Sequence, residues 1–172
     1  TVGLEILEDC DHVSTVYVPI GGGGLISGVG AAVKQMRPGV RIVGVEPEGG
    51  AAMAASITAG KPVTLEGVQS VADGLLPVRP GDWTFTHVSE FVDDIITVKD
   101  EEIIKAVQWL MTTAKLVVEP SGAATVAAVL FQSGGAQFAH QGVTVAVLSG
   151  GNIAQELLVS LFPDAASLNS EQ

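Results

Sequence analysis

At 172 residues, 47% of them apolar, the chain is long enough to bury one compact core and too apolar to be disordered. A formal net charge of −11 repels phosphate backbones and excludes nucleic acid as a partner. No apolar stretch approaches the ~20 residues of a membrane helix, no basic hydrophobic leader opens the chain, and Cys10 is the single cysteine, so a reducing, cytoplasmic setting without disulfides is expected.

The segment Thr1–Ile6 has the pattern of the middle of a helix. Val16-Tyr17-Val18-Pro19-Ile20 predicts a buried strand, and Leu25–Met36 a helix stopped by Arg37-Pro38-Gly39. A second strand follows over Val40–Val45, then a short helix over Ala51–Ala59 that Gly60 ends. A polar, glycine-containing crossing from Val63 to Pro80 leads to a helix over Trp83–Glu90. Ile95–Val98 reads as the third strand. Asp100 then stands where an N-cap belongs, with Glu101 and Glu102 in the first turn and Ile103, Ile104, Val107 and Leu110 on one helical face. Pro120 opens an alanine-rich helix running to about Gln132, before Gly134-Gly135. Val143–Leu148 is the fourth strand and Asn152–Leu161 the final helix, and the polar tail 163–172 is expected to fray.

Apolar strands without polar alternation, separated by helices, predict an α/β fold: an open, mainly parallel twisted sheet with helices on both faces. Residues 1–162 then form one unit, since no linker or internal repeat divides them.

Gly21-Gly22-Gly23-Gly24 lies between a strand and a helix. Backbone amides and a helix dipole there favour an anion, and the absence of Cβ atoms lets a phosphate approach closely. The Walker pattern fails for want of a Lys-Ser or Lys-Thr at its offset. The dinucleotide fingerprint fails narrowly: Gly22 and Gly24 fit its first two places, but Ser27 holds the third. Glu46 ends the next strand about where a ribose-binding acid belongs, so a dinucleotide-binding domain of an oxidoreductase is the alternative from another class. Ser149-Gly150-Gly151-Asn152 repeats the strand, glycine turn and helix start at the last strand. Ligands of open parallel sheets collect at the carboxyl ends of strands, so the two loops face one pocket if their strands are close in the sheet.

Five motifs in order carry a resemblance: the tetraglycine after Val18-Pro19-Ile20, Val45-Glu46-Pro47, Ala72-Asp73-Gly74, Val118-Glu119-Pro120-Ser121-Gly122-Ala123, and Leu148-Ser149-Gly150-Gly151-Asn152. Together they resemble the fold-type II pyridoxal-phosphate enzymes, in particular the threonine/serine dehydratase and serine racemase group. The resemblance implies that the chain is the large domain of that fold, incomplete. It implies that the amides of Gly21, Gly22, Gly23 and Gly24 cradle the phosphate of pyridoxal 5′-phosphate. It also implies that Ser149 faces the pyridine nitrogen, that Gly74 lies beside the ring, and that Glu119 and Asn152 are near the pocket. A serine partner leaves that nitrogen largely unprotonated, which suits β-elimination of a hydroxyl.

Two departures qualify the match. Lys34, Lys61, Lys99, Lys105 and Lys115 are the lysines, and none stands in the family's Ser-Phe-Lys context, so no catalytic residue is assigned. The loop that binds the substrate carboxylate is missing too, placing the small domain and the cofactor lysine upstream or in a complementary chain. Some relatives hold a divalent cation with a glutamate, a carbonyl four residues on and an aspartate six residues on. Glu46 and Gly50 match that set, Ala52 does not, and no metal is expected. The resemblance therefore implies a parent L-threonine or L-serine dehydratase acting on an amino acid, with serine racemase as alternative, a homo-oligomer as parent, and this chain alone inactive but able to bind a phosphate.

Overall fold

The computed structural model describes residues 1–132 and 142–162; the predicted stop at Gly134-Gly135 and the tail 163–172 lie outside the described residues. Among the described residues, four strands form one parallel sheet: β1 (Val13–Pro19), β2 (Arg41–Pro47), β3 (Asp94–Val98) and β4 (Val143–Ala146), in the order β3-β2-β1-β4. Helices α1 (Val2–Asp9), α2 (Gly24–Met36), α3 (Ala52–Ala59) and α4 (Asp82–Phe91) contribute to one side. Helices α5 (Asp100–Trp109), α6 (Pro120–Ala127) and α7 (Gln155–Ser160) belong to the other.

The period-two alternation of the strands divides the core. Val16, Val18, Ile20 and Ile42 pack with Ile26, Val29, Val33 and Met53, whereas Tyr17, Val43 and Val45 pack with Ile103, Val107 and the alanines of α6. Ile20 packs directly over Gly44, where a Cβ would run into its side chain. β1 and β2, central in the sheet, are buried on both faces, which is why their sequences show apolar runs instead of alternation.

Several boundaries differ from the sequence expectation: β1 begins at Val13 rather than Val16, and β4 ends at Ala146 rather than Leu148. Ala51 precedes α3 rather than opening it, after a 3₁₀ turn over Glu48–Gly50. Asp100 is the first helical residue of α5 and not its cap, which falls to Lys99. The Asp100 carboxylate is drawn off by the crossing segment, accepting from the Ser70 hydroxyl and from the Val71 N–H at 3.2 Å, while Glu102 accepts from the Lys99 N–H at 2.8 Å. The last helix begins at Gln155, not Asn152. Along the expected helical faces, Ile103, Val107 and Leu110 are buried and Ile104 is half-buried, with α5 and α6 each ending in a wider π-helical turn, Leu110–Ala114 and Ala128–Gln132.

Strand order decides where a ligand belongs. The chain runs outward from β1 to β2 and β3, then returns over the other face to place β4 on the far side of β1. Loops leaving β1 and β4 therefore diverge, and the crevice between their carboxyl ends is the switch point at which open α/β sheets bind ligands.

Candidate functional site

The tetraglycine leaves β1 at that switch point. Gly23 caps α2 with φ of 89°, a left-handed conformation that disfavours any side chain, and Gly24 begins the helix. A Cβ on Gly23 would stand 2.6 Å from the Met53 methyl and 2.9 Å from Thr84 Cβ, so the loop lies flat on α3 and α4. A Cβ on Gly21 would stand 3.1 Å from the Gly74 carbonyl oxygen. Gly22 and Gly24 are exposed, and Cβ atoms on either would enter open space. Among the described residues, none accepts a hydrogen bond from the amides of Gly21 to Gly24. Donors without acceptors on the open side of a loop at a helix N-terminus are the complement of a phosphate. The cradle fits the group that the motifs imply.

Gly74 adjoins this loop. Its N–H donates to Ser121 Oγ at 2.9 Å and to the Asp73 carboxylate at 2.8 Å, and a Cβ on Gly74 would be 2.9 Å from Ser121 Oγ. Ser121 is buried in the first turn of α6 and joins the Ala72-Asp73-Gly74 turn to the Glu119-Pro120 corner. Sequence reasoning quoted Ser121 within a motif but gave it no part.

The second glycine turn follows β4, and β4 pairs directly with β1, so the two loops sit at neighbouring strand ends. Ser149 is exposed there. The turn does not open a helix as its sequence implies. Glu119 Oε2 accepts from the Asn152 N–H at 2.9 Å, the Glu119 N–H donates to the Gly150 carbonyl at 3.2 Å, and a Cβ on Gly151 would be 3.0 Å from the Val117 carbonyl. These contacts hold residues 149–152 against the chain leading into α6 and postpone α7. Asn152 enters through its backbone amide, and Glu119 is the bracket that fixes the turn. Gly150 leaves room for this bracket, since a Cβ there would collide with the Glu119 carboxylate.

Glu46 is placed differently from both roles its position invites. It is 1% exposed, under the site rather than in it, and its two oxygens accept from the Met53 and Ala54 N–H groups at 2.8 Å each. It caps α3, whose sequence offers no serine, threonine or aspartate for that purpose. Burial pushes its carboxyl up to about 7, against the pull of the two amide bonds. A ribose has no access to it, and Ala52 adds no carboxylate beside it. Lys34 lies at the opposite end of the sheet, its ammonium 2.7 Å from Asp93, which also accepts from the Ile42 N–H at the start of β2.

The sequence signature of the pyridoxal-phosphate-dependent enzymes matches residues 1–150. The chain belongs to this family. L-threonine ammonia-lyase of Thermotoga maritima is 46% identical over 154 residues, covering 89% of this chain and 37% of that protein. Serine racemase of Oryza sativa subsp. indica is 42% identical over 156 residues, covering 89% of this chain and 45% of that protein. The structure of maize serine racemase superposes with a TM-score of 0.86 at 37% identity, covering 98% of this chain and 52% of that one. The chain thus spans about half, or less, of the length of these relatives. Membership in the pyridoxal-phosphate family, with Glu46 sealed beneath α3, displaces the dinucleotide alternative.

Proposed function

We propose that residues 1–162 are the cofactor-phosphate-binding unit of a pyridoxal-phosphate-dependent L-threonine or L-serine dehydratase. The observation that carries this reading is the set of unaccepted glycine amides at the switch point of the sheet. In it, Gly21, Gly22, Gly23 and Gly24 hold the phosphate, Ser149 faces the pyridine nitrogen, and Gly74 leaves room for the ring. Glu119 and the Asn152 amide keep the Ser149 turn in place. When bound, pyridoxal phosphate withdraws electrons from the amino-acid Cα, so that its proton becomes acidic and a hydroxyl on Cβ can leave. Ser149 is uncharged, and a neutral partner moderates that withdrawal, favouring prompt loss of the β-hydroxyl.

The group that removes the Cα proton, and the lysine that anchors the cofactor, come from residues outside this chain, upstream or on a complementary polypeptide. Alone, the chain binds phosphate without turning substrate over. The whole enzyme is a homo-oligomer in this reading, and Glu46 serves as a helix cap and not as a metal ligand. Serine racemase is the second reading, favoured by the 42% identity to the rice enzyme; it shares proton removal and differs in the fate of the Cβ hydroxyl. Formation of a 2-oxo acid against D-serine in the whole enzyme separates the two.

The phosphate assignment is tested on the chain itself with pyridoxine 5′-phosphate, which needs no lysine, and with inorganic phosphate as competitor, both by calorimetry. Gly22→Ala places a methyl in the open cradle without straining the backbone, so binding should weaken about tenfold or more with an unchanged melting temperature. No binding by the unsubstituted chain, or equal binding by Gly22→Ala, overturns the reading.

A further inference from the structure

The orientation of the glycine loop is set from outside the loop. Thr84, in the first turn of α4, has Oγ1 2.6 Å from the Gly22 carbonyl oxygen and 3.0 Å from that of Gly81. A hydroxyl has one proton to donate, and the shorter contact takes it. Thr84 Cβ also fills part of the floor beneath Gly23, and Ser27 Oγ of α2 donates to the Thr84 carbonyl at 3.4 Å. One residue thus contacts the loop, its supporting helix and its own helix start.

We infer that Thr84 is a positioning residue for the anion-binding amides; the inference rests on the phosphate reading above. The Gly22–Gly23 peptide is planar and trans, so its carbonyl and its N–H point in opposite directions. Drawing the Gly22 oxygen down to Thr84 turns the Gly23 N–H away from the floor, toward the open side where Gly22 and Gly24 have no neighbours. Without that anchor, the peptide between two glycines rotates at little steric cost, because neither residue has a Cβ to restrain it. The loop then presents its donors in several directions and loses preorganisation for a tetrahedral oxyanion. The Thr84 hydroxyl acts through Gly23 and does not itself touch the phosphate.

Two substitutions separate hydroxyl from filler. Thr84→Val keeps the shape and removes the donor; Thr84→Ser keeps the donor and removes the methyl. With pyridoxine 5′-phosphate as probe, Thr84→Val should bind about five- to tenfold more weakly, the worth of one net hydrogen bond, and Thr84→Ser within about twofold of the unsubstituted chain. The reverse order, with valine neutral and serine impaired, shows a packing role and overturns the inference while leaving the phosphate reading intact. Loss of binding in the unsubstituted chain removes both. Should Thr84→Val fail to fold, the Gly23 amide resonance decides: it should shift on addition of inorganic phosphate in the unsubstituted chain and in Thr84→Ser alike. A Gly23 amide that ignores phosphate in both refutes the orientation argued here.

Discussion

Replacing Glu46 by glutamine removes a titrating group buried between the sheet and α3, and the pH dependence of stability reports the change. Burial raises the Glu46 carboxyl from 4.5 to about 7 in the folded chain. A raised carboxyl binds its proton more tightly folded than unfolded, so its stabilising contribution is complete below about 4.5 and is lost as the pH climbs through about 7. Integrated from pH 5 to pH 8, that loss amounts to about 2 to 3 kcal/mol. Glutamine does not titrate, and its own offset, including an amide donor turned toward the Met53 or Ala54 N–H, is the same at every pH. The difference in unfolding free energy between the two proteins should therefore move by about 2 to 3 kcal/mol in favour of Glu46→Gln across this range. Urea unfolding followed by far-ultraviolet circular dichroism at pH 5, 6, 7 and 8 measures it. A constant difference would refute the buried-carboxylate argument. A change of opposite sign would show that the two capping bonds outweigh burial and that Glu46 is held ionised.

Three further substitutions probe the scaffold by thermal and urea unfolding. Thr15 is 3% exposed and its hydroxyl has no partner among the described residues, so Thr15→Val should stabilise the chain by about 1 kcal/mol; destabilisation would mean that the hydroxyl is satisfied. Gly150→Ala drives a methyl into the Glu119 carboxylate and should cost about 2 kcal/mol, a loss that Glu119→Ala relieves in a double-mutant cycle; additive effects would deny the contact. Lys115, with φ of 60°, is the non-glycine residue with positive φ among the described residues, and Lys115→Gly should gain up to about 1 kcal/mol, whereas a loss would point to a needed side-chain contact.

The central strands were legible because burial on both faces writes β1 and β2 as largely apolar runs, and the helices because glycine, proline and acidic residues mark their ends. Their order in the sheet was not. Val143–Leu148 has the same composition whether it lies beside β1 or beyond β3, and only the return of α5 and α6 over the opposite face puts β4 next to β1. Boundaries slipped where a side chain found a better partner far away in sequence: Asp100 turned to Ser70 and Val71 instead of capping its own helix, and Glu119 held Asn152 out of α7.

The same distinction applies to the site. A run of four glycines states that the backbone must be bare, which is why Gly21 to Gly24 stood out at once. It does not state which way the peptides face, because a chain without Cβ atoms has no preference of its own. Direction comes from residues that carry no motif: Thr84 on the Gly22 carbonyl, Met53 beneath Gly23, and Glu46 fixing the start of the helix that bears Met53. Each acts across a gap in sequence that pattern reading does not span. Substitutions in the glycines therefore test whether the anion fits, while substitutions at Thr84 and Glu46 test why the empty loop already has the shape to receive it.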